Sequence, residues 1–181
     1  MRSASPRKFA TESQLYTAAL RALMRRAHSV HEMKEYLKTR AENPDDAAAV
    51  LQRLREQNYV DDARYAREYA RSHAQSRRQG KFRIARELRA RGVPDKHIEA
   101  ALDAVFAETD ENALVRARIE RKLRQVRGPL DEKKRASIYR SLLRAGFSAD
   151  AIRTELRVAS KAGTARDNEQ ETLQGEADNE S

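Results

Sequence analysis

Histidines, acids and arginines are the residues of this chain that could do chemistry, and only the arginines are patterned for it. The four histidines (His28, His31, His73, His97) are scattered. His28 precedes Ser29, which reads as a helix cap, so His28 and His31 share no regular helical face. No His-Glu-x-x-His motif or third ligand accompanies them, and no metal site is expected. Neither phosphate-cradling glycine loop (Gly-x-x-x-x-Gly-Lys-Ser/Thr or Gly-x-Gly-x-x-Gly) is present, nor is a Gly-x-Ser-x-Gly nucleophile turn. The absence of cysteine removes disulfides and thiolate chemistry. Asp61 and Asp62 could be imagined as acid–base or metal carboxylates. Standing at a helix start, however, they suit backbone capping, which is worth ~1 kcal/mol, with a partner contact by Asp62 as the other reading. No cofactor and no enzyme activity is expected.

The cations are arranged differently. Ile84 and Leu88 centre one face of a predicted helix. At 100° per residue Arg86 lies nearly opposite, with Arg83 and Arg89 roughly 60° to either side of it. Together with Arg77, Arg78, Lys81 and Arg91 this makes seven cations against one acid, Glu87, across residues 77–91. A solvated helix face normally interleaves both signs. Arg116, Arg118, Arg121, Lys122, Arg124 and Arg127 extend the pattern, as do Lys133, Lys134, Arg135, Arg140 and Arg144. Few aromatics accompany these faces, which favours contact with phosphate backbone or acidic protein over base reading. Tyr65 and Tyr69, one turn apart, read as core, and Tyr59 as a staple in a turn.

These faces must be carried by thin helical layers. Charged residues make up 36% of the 181 residues and hydrophobic ones only 39%, too little apolar material for one thick core and enough for amphipathic stripes. Net charge is +9, unevenly spread. From Ala162 to Ser181 six acids face a lone Arg166, so this end carries −5 and residues 1–161 carry +14. Such a body favours a polyanionic partner. No run approaches the ~18 apolar residues of a membrane span. The opening Met1-Arg2-Ser3-Ala4-Ser5-Pro6-Arg7-Lys8 lacks the apolar centre of a secretory signal, so a cytoplasmic protein is expected.

Helical spacing runs throughout and strand alternation is missing. Tyr16, Leu20, Leu23 and Ala27 form the first stripe. Val30, Met33 and Leu37 form the second, behind a Ser29/Glu32 capping box. Val50, Leu51 and Leu54 form the third, opened by Asn43-Pro44 and ended near Asn58. The pattern then restarts at Asp61-Asp62, and again before Val115, Ile119, Leu123 and Val126. Leu88, Gly92, Ile98 and Leu102 superpose on Leu142, Gly146, Ile152 and Leu156 at a constant offset of 54. The spacing predicts an all-α chain of three tandem three-helix repeats at 14–59, 60–107 and 108–160, stacked into an elongated, curved body. A basic tail (1–13) and an acidic tail (161–181) are expected to be disordered, and Arg127-Gly128-Pro129-Leu130 to be a point of flexure.

Tyr59-Val60-Asp61-Asp62-x-Arg64-Tyr65-Ala66, followed by Gly80-x-x-x-Ile84-x-x-Glu87-Leu88-x-x-x-Gly92, resembles the RecX family in order and spacing. His28-Ser29-x-x-Glu32-Met33 is similar to its first repeat, and Tyr139-x-x-Leu142-Leu143-Arg144-x-Gly146-Phe147 to its last. The stretch from Lys38 to Asp46 departs, with Asn43-Pro44 where a Gly-aromatic helix end is expected. The resemblance implies tandem three-helix repeats and a non-catalytic regulator that binds in the groove of the RecA–DNA filament. It would restrain RecA ATP hydrolysis, strand exchange and coprotease action, and so recombination, repair and the SOS response. The filament contact is then expected on the cations read from the charge pattern: Arg77, Arg78, Lys81, Arg83, Arg86, Arg89, Lys133, Lys134 and Arg140. Tyr59, Asp61, Asp62, Arg64, Tyr65, Gly80, Glu87 and Gly92 would be structural or partner-contacting motif residues. The expected partners are the RecA filament and the DNA within it, met by a monomer. Charge alone also allows a stand-alone basic DNA-binding protein or a helical scaffold for an unrelated partner.

Overall fold

In the computed structural model of the chain, residues 8–125 and 130–160 are described. The stretch from Val126 to Pro129, which holds most of the expected flexure point, lies outside them, as do residues 1–7 and 161–181. Among the described residues there are nine helices and no strand beyond one isolated bridge. They are α1 (Glu12–Arg25), α2 (Val30–Arg40), α3 (Pro44–Glu56), α4 (Asp62–Gln75), α5 (Lys81–Ala90), α6 (Asp95–Ala107), α7 (Glu111–Leu123), α8 (Glu132–Arg144) and α9 (149–160). The chain divides into two compact units. One holds the chain through His73 together with Ile84–Val105; the other holds Ala74–Arg83 together with Phe106 onward.

In the first unit α1, α2 and α3 enclose Leu15, Ala19, Met33, Leu37, Val50, Leu54 and Val60. Each fully buried Leu, Val or Met side chain here contributes about 1.5–3 kcal/mol. The α1 stripe differs from the expected one. Leu15, Ala18, Ala19 and Ala22 are buried, Tyr16, Leu20 and Leu23 only flank the core, and Ala27 lies beyond the helix end, exposed. Alanines on the inner face let α2 and α3 approach α1 closely, and the larger side chains take the margins. Local signals behave as the sequence indicates. Ser29 and Glu32 close a full capping box, and Asn43 caps α3 with Pro44 in its first turn.

Three helices end through the same device. Asn58, Gly92 and Gly146 have φ of +56°, +73° and +88°. In each case the next amide reaches back five residues: Tyr59 to Leu54, Val93 to Leu88, Phe147 to Leu142. The left-handed residue itself donates three residues back, completing the two-bond helix stop. Helix α2 has no such residue, because Ala41 is extended. The Phe9 amide donates to the Arg40 carbonyl instead (2.8 Å), and the Glu42 amide donates to Phe9 (3.2 Å). Phe9, which composition places in the N-terminal tail, thus supplies both the hydrogen bond and the aromatic side chain that the departing 38–46 stretch lacks.

The second unit is built on Val115, Ile119, Ile138, Leu142, Phe147, Ile152 and Leu156. Its helix starts are capped by Asp110 and Asp131. Ser148, ahead of α9, accepts from Ala151 and is itself bound to Glu111. Arg116, counted with the surface cations in the sequence, instead grips the buried Glu155 through Nε and Nη2 at 2.8 and 3.0 Å.

Candidate functional site

The Arg77–Lys81 loop is positioned by a backbone crossing within the second unit. The Gly80 amide donates to the Ala145 carbonyl (2.9 Å), and the Phe82 amide donates to Gly146 (3.1 Å). A Cβ on Gly80 would sit 2.2 Å from the Gly146 carbonyl oxygen, and one on Gly146 2.3 Å from the Arg83 amide nitrogen. Both positions therefore require glycine. With Gln79 buried and Arg78 held in the left-handed region at φ +49°, the loop turns Arg77, Arg78 and Lys81 to solvent and leaves Arg83 half-buried. Lys81 Nζ stands 5.4 Å from the Phe82 ring centroid. That ring is 59% exposed, an aromatic on a basic surface that the stripe pattern does not single out.

Within the second unit, the cations expected at the start of α8 stand apart from this loop. Lys133 is exposed at the start of α8, and Lys134 pairs with Asp131 at 3.5 Å. The loop meets the opposite end of that helix, about 20 Å away at 1.5 Å per residue. Arg140, also exposed, lies nearer that end. In the first unit Ile84, Ala85 and Leu88 form the buried face of α5, and Arg86 is exposed as the periodicity indicates. Arg89 pairs with Asp95 at 2.6 Å, between two exposed groups whose net attraction is small.

Arg91 is half-buried and paired instead of being a free surface cation. Its Nη1 binds Glu32 at 2.8 Å, its guanidinium lies 5.1 Å from the Tyr69 ring centroid, and its carbonyl accepts from Ser29 Oγ at 2.6 Å. Burial alone would raise the Glu32 carboxyl. Hydrogen bonds from Arg26 and the Ser29 amide, with the charges of Arg26 and Arg91, hold it below its ordinary value.

The motif residues are chiefly fold-makers. Asp61 caps α4, accepting from the Ala63 (2.8 Å) and Arg64 (3.1 Å) amides. Those bonds, the Arg64 amide first, lower its carboxyl against the effect of burial. Asp62 caps a different helix: its Oδ1 accepts the Val30 amide at the start of α2 (2.9 Å). Arg64 donates to the Asn58 carbonyl (2.6 Å). Tyr65 is buried, and Glu87 accepts from Tyr69 Oη (2.7 Å) with His73 Nδ1 3.4 Å from the same oxygen. Gly92 could carry no Cβ, which would meet His31 at 2.4 Å. Tyr59 corrects the sequence reading: it is 49% exposed, not a staple, and Val60 enters the core in its place.

Three-helix units repeated along a basic chain, with three of their helices ended by one shared device, define a tandem-repeat protein. Three successive stretches match the three-helix domains of RecX: the first over residues 16–54, the second over 61–102 and the third over 109–156. The chain belongs to the RecX family. It is 36% identical over 145 residues to a "Regulatory protein RecX" of Halorhodospira halophila, covering 80% of this chain and 87% of that one. It is 32% identical over 148 residues to the protein of the same name from Chlorobaculum tepidum (82% and 89%). The crystal structure of RecX from Lactobacillus salivarius shares the fold with a TM-score of 0.67 at 24% identity, covering 83% of this chain and 97% of that one. A second crystal structure, of a regulatory protein RecX, gives 0.70 at 22% identity over 80% and 70%. This is a family of regulatory proteins, and the helices are its tandem three-helix repeats. No described helix is long and apolar enough to cross a membrane.

Proposed function

We propose that this protein is a cytoplasmic, non-catalytic regulator that acts as a monomer, binds the RecA–DNA filament and restrains RecA ATP hydrolysis, strand exchange and coprotease activity. Membership of the RecX family supports the partner. The observation that carries the mode of action is the Arg77–Lys81 loop, which projects cations from a backbone fixed by the Gly80–Gly146 crossing. A rigid cationic surface loses little entropy on meeting acidic protein or DNA phosphate. Arg86 in the first unit and Lys133 and Arg140 in the second are further exposed contacts. Regulation then follows from differential affinity: the protein shifts filament assembly only as far as it binds filament and free RecA unequally.

The test is RecA ATP hydrolysis on preformed single-stranded DNA filaments during titration with this protein, with anisotropy on DNA alone as control. Inhibition at or below stoichiometric amounts with weak DNA-only binding is the expected result. Unchanged hydrolysis despite tight DNA binding would replace this reading with a stand-alone basic DNA-binding protein, which the +14 body also suits.

A further inference from the structure

Arg118, on α7 in the second unit, has surroundings that the filament reading does not use. Its Nη1 donates to the Arg78 carbonyl at 2.9 Å. Its Nε–H is buried and has no acceptor among the described residues. The charges acting on it are those of Arg121, Arg83 and Arg78, all of its own sign, and they add to burial in lowering its proton affinity. Arg121 lies three residues on, exposed on the same side of α7. Arg78, whose carbonyl Arg118 holds, stands in left-handed backbone, a conformation that costs energy at a non-glycine residue. A buried donor without an acceptor, like charges gathered around it and a strained residue fastened to it are each destabilising. One entering anion relieves the first two and gives the third a purpose. Guanidinium groups match a phosphate with two parallel N–H donors.

We propose that Arg118 and Arg121, with Arg78 and Arg83 beside them, form a binding site for a backbone phosphate of single-stranded DNA. The covered Nε–H of Arg118 is reached when the side chain turns its Nε–Nη2 edge outward, keeping Nη1 on the Arg78 carbonyl. DNA is chosen as the carrier because the body of the chain is strongly basic and Phe82, in the same unit, offers an exposed ring of the kind on which unpaired bases stack. The inference rests on the filament reading only in taking that DNA to be the strand within the filament.

The test follows the arginine Nε–H resonances of the full chain by 1H–15N NMR while an oligothymidylate, and separately inorganic phosphate, is added. The Arg118 and Arg121 signals are expected to move and to saturate with the oligonucleotide. R118M and R121Q are each expected to weaken oligonucleotide binding about three- to tenfold and to flatten the slope of log K against log salt by about 0.7, the share of one single-strand phosphate. K96Q, a cation of the other unit, should bind like wild type. A neutral methylphosphonate linkage should weaken wild type and leave R118M unchanged. An Arg118 Nε–H signal that stays fixed through saturation overturns the site, as does wild-type affinity and slope in the folded variants. Should R118M fail to fold, the exposed R121Q must show the flattening by itself. Variants that bind DNA normally but no longer inhibit RecA would hand the site to an acidic protein surface and overturn the phosphate assignment, leaving the filament reading intact. The expected DNA defect, with no inhibition by the wild-type chain, would keep the phosphate site and remove the filament reading.

Discussion

Arg91 and Arg118 are both partly buried arginines set among other cations, and their neighbours are of opposite kinds. Arg91 meets a carboxylate: Glu32 takes its Nη1 at 2.8 Å and takes Arg26 at 3.0 Å on its other oxygen. Among the described residues, the charges acting on Arg118 are those of Arg121, Arg83 and Arg78, and its Nε has no acceptor. The first arrangement is complete and holds a helix start to a helix end. The second leaves a buried donor that the proposed phosphate would satisfy. A count of basic residues treats the two alike, yet one is paired within the fold and the other is the centre of the proposed phosphate site.

Removing the paired arginine is the largest way to break this comparison. Arg91→Met leaves Glu32 with Arg26 alone and should cost about 1–2 kcal/mol after discounting for the partial exposure of the pair, read as a lower urea midpoint. Acid reports on the same carboxylate. Glu32 has a folded pKa below its ordinary 4.5, so its contribution is fully present above that value and is lost as pH falls through the lowered one. The urea midpoint should fall as pH drops below about 4.5, and Glu32→Gln should lower the neutral-pH midpoint while shrinking that acid loss. Asp62→Ala frees the Val30 amide at the start of α2 and should cost between about 0.5 and 1 kcal/mol by thermal unfolding. Arg118→Met should change stability least, by under about 0.5 kcal/mol. The lost bond to Arg78 is offset by the loss of an unsatisfied donor and of like-charge repulsion. A cost for Arg118→Met as large as that for Arg91→Met would erase the distinction between them.

The local features of the fold were legible in the sequence. Ser29 with Glu32, Asn43 with Pro44, and the glycines at 92 and 146 act within a few residues of themselves, so type and spacing suffice. The α1 face was misplaced by one position because Leu15 and Tyr16 begin adjacent stripes of equal period, and only the close approach of neighbouring helices to the alanines decides between them. Features made across the chain were invisible. Asp62 caps a helix 32 residues away, Arg91 finds Glu32 across 59, and Phe9 finishes α2. The basic character of the candidate surface was readable from the 77–91 run. Its sorting into exposed Arg77, Arg78, Lys81 and Arg86, paired Arg89 and committed Arg91 was not, since each assignment depends on an acid supplied from elsewhere or withheld.

The central claim is that exposed cations on the rigid Arg77–Lys81 loop, and not the paired ones, carry the filament contact. Its most direct test is the amount of protein needed to half-inhibit RecA ATP hydrolysis on single-stranded DNA filaments, compared between wild type and R77E/K81E, with helix content and thermal midpoint as folding controls. The account predicts that the variant folds as wild type and requires roughly tenfold more protein, a loss of about 1.4 kcal/mol. Full inhibition by the folded variant at the wild-type amount would contradict it.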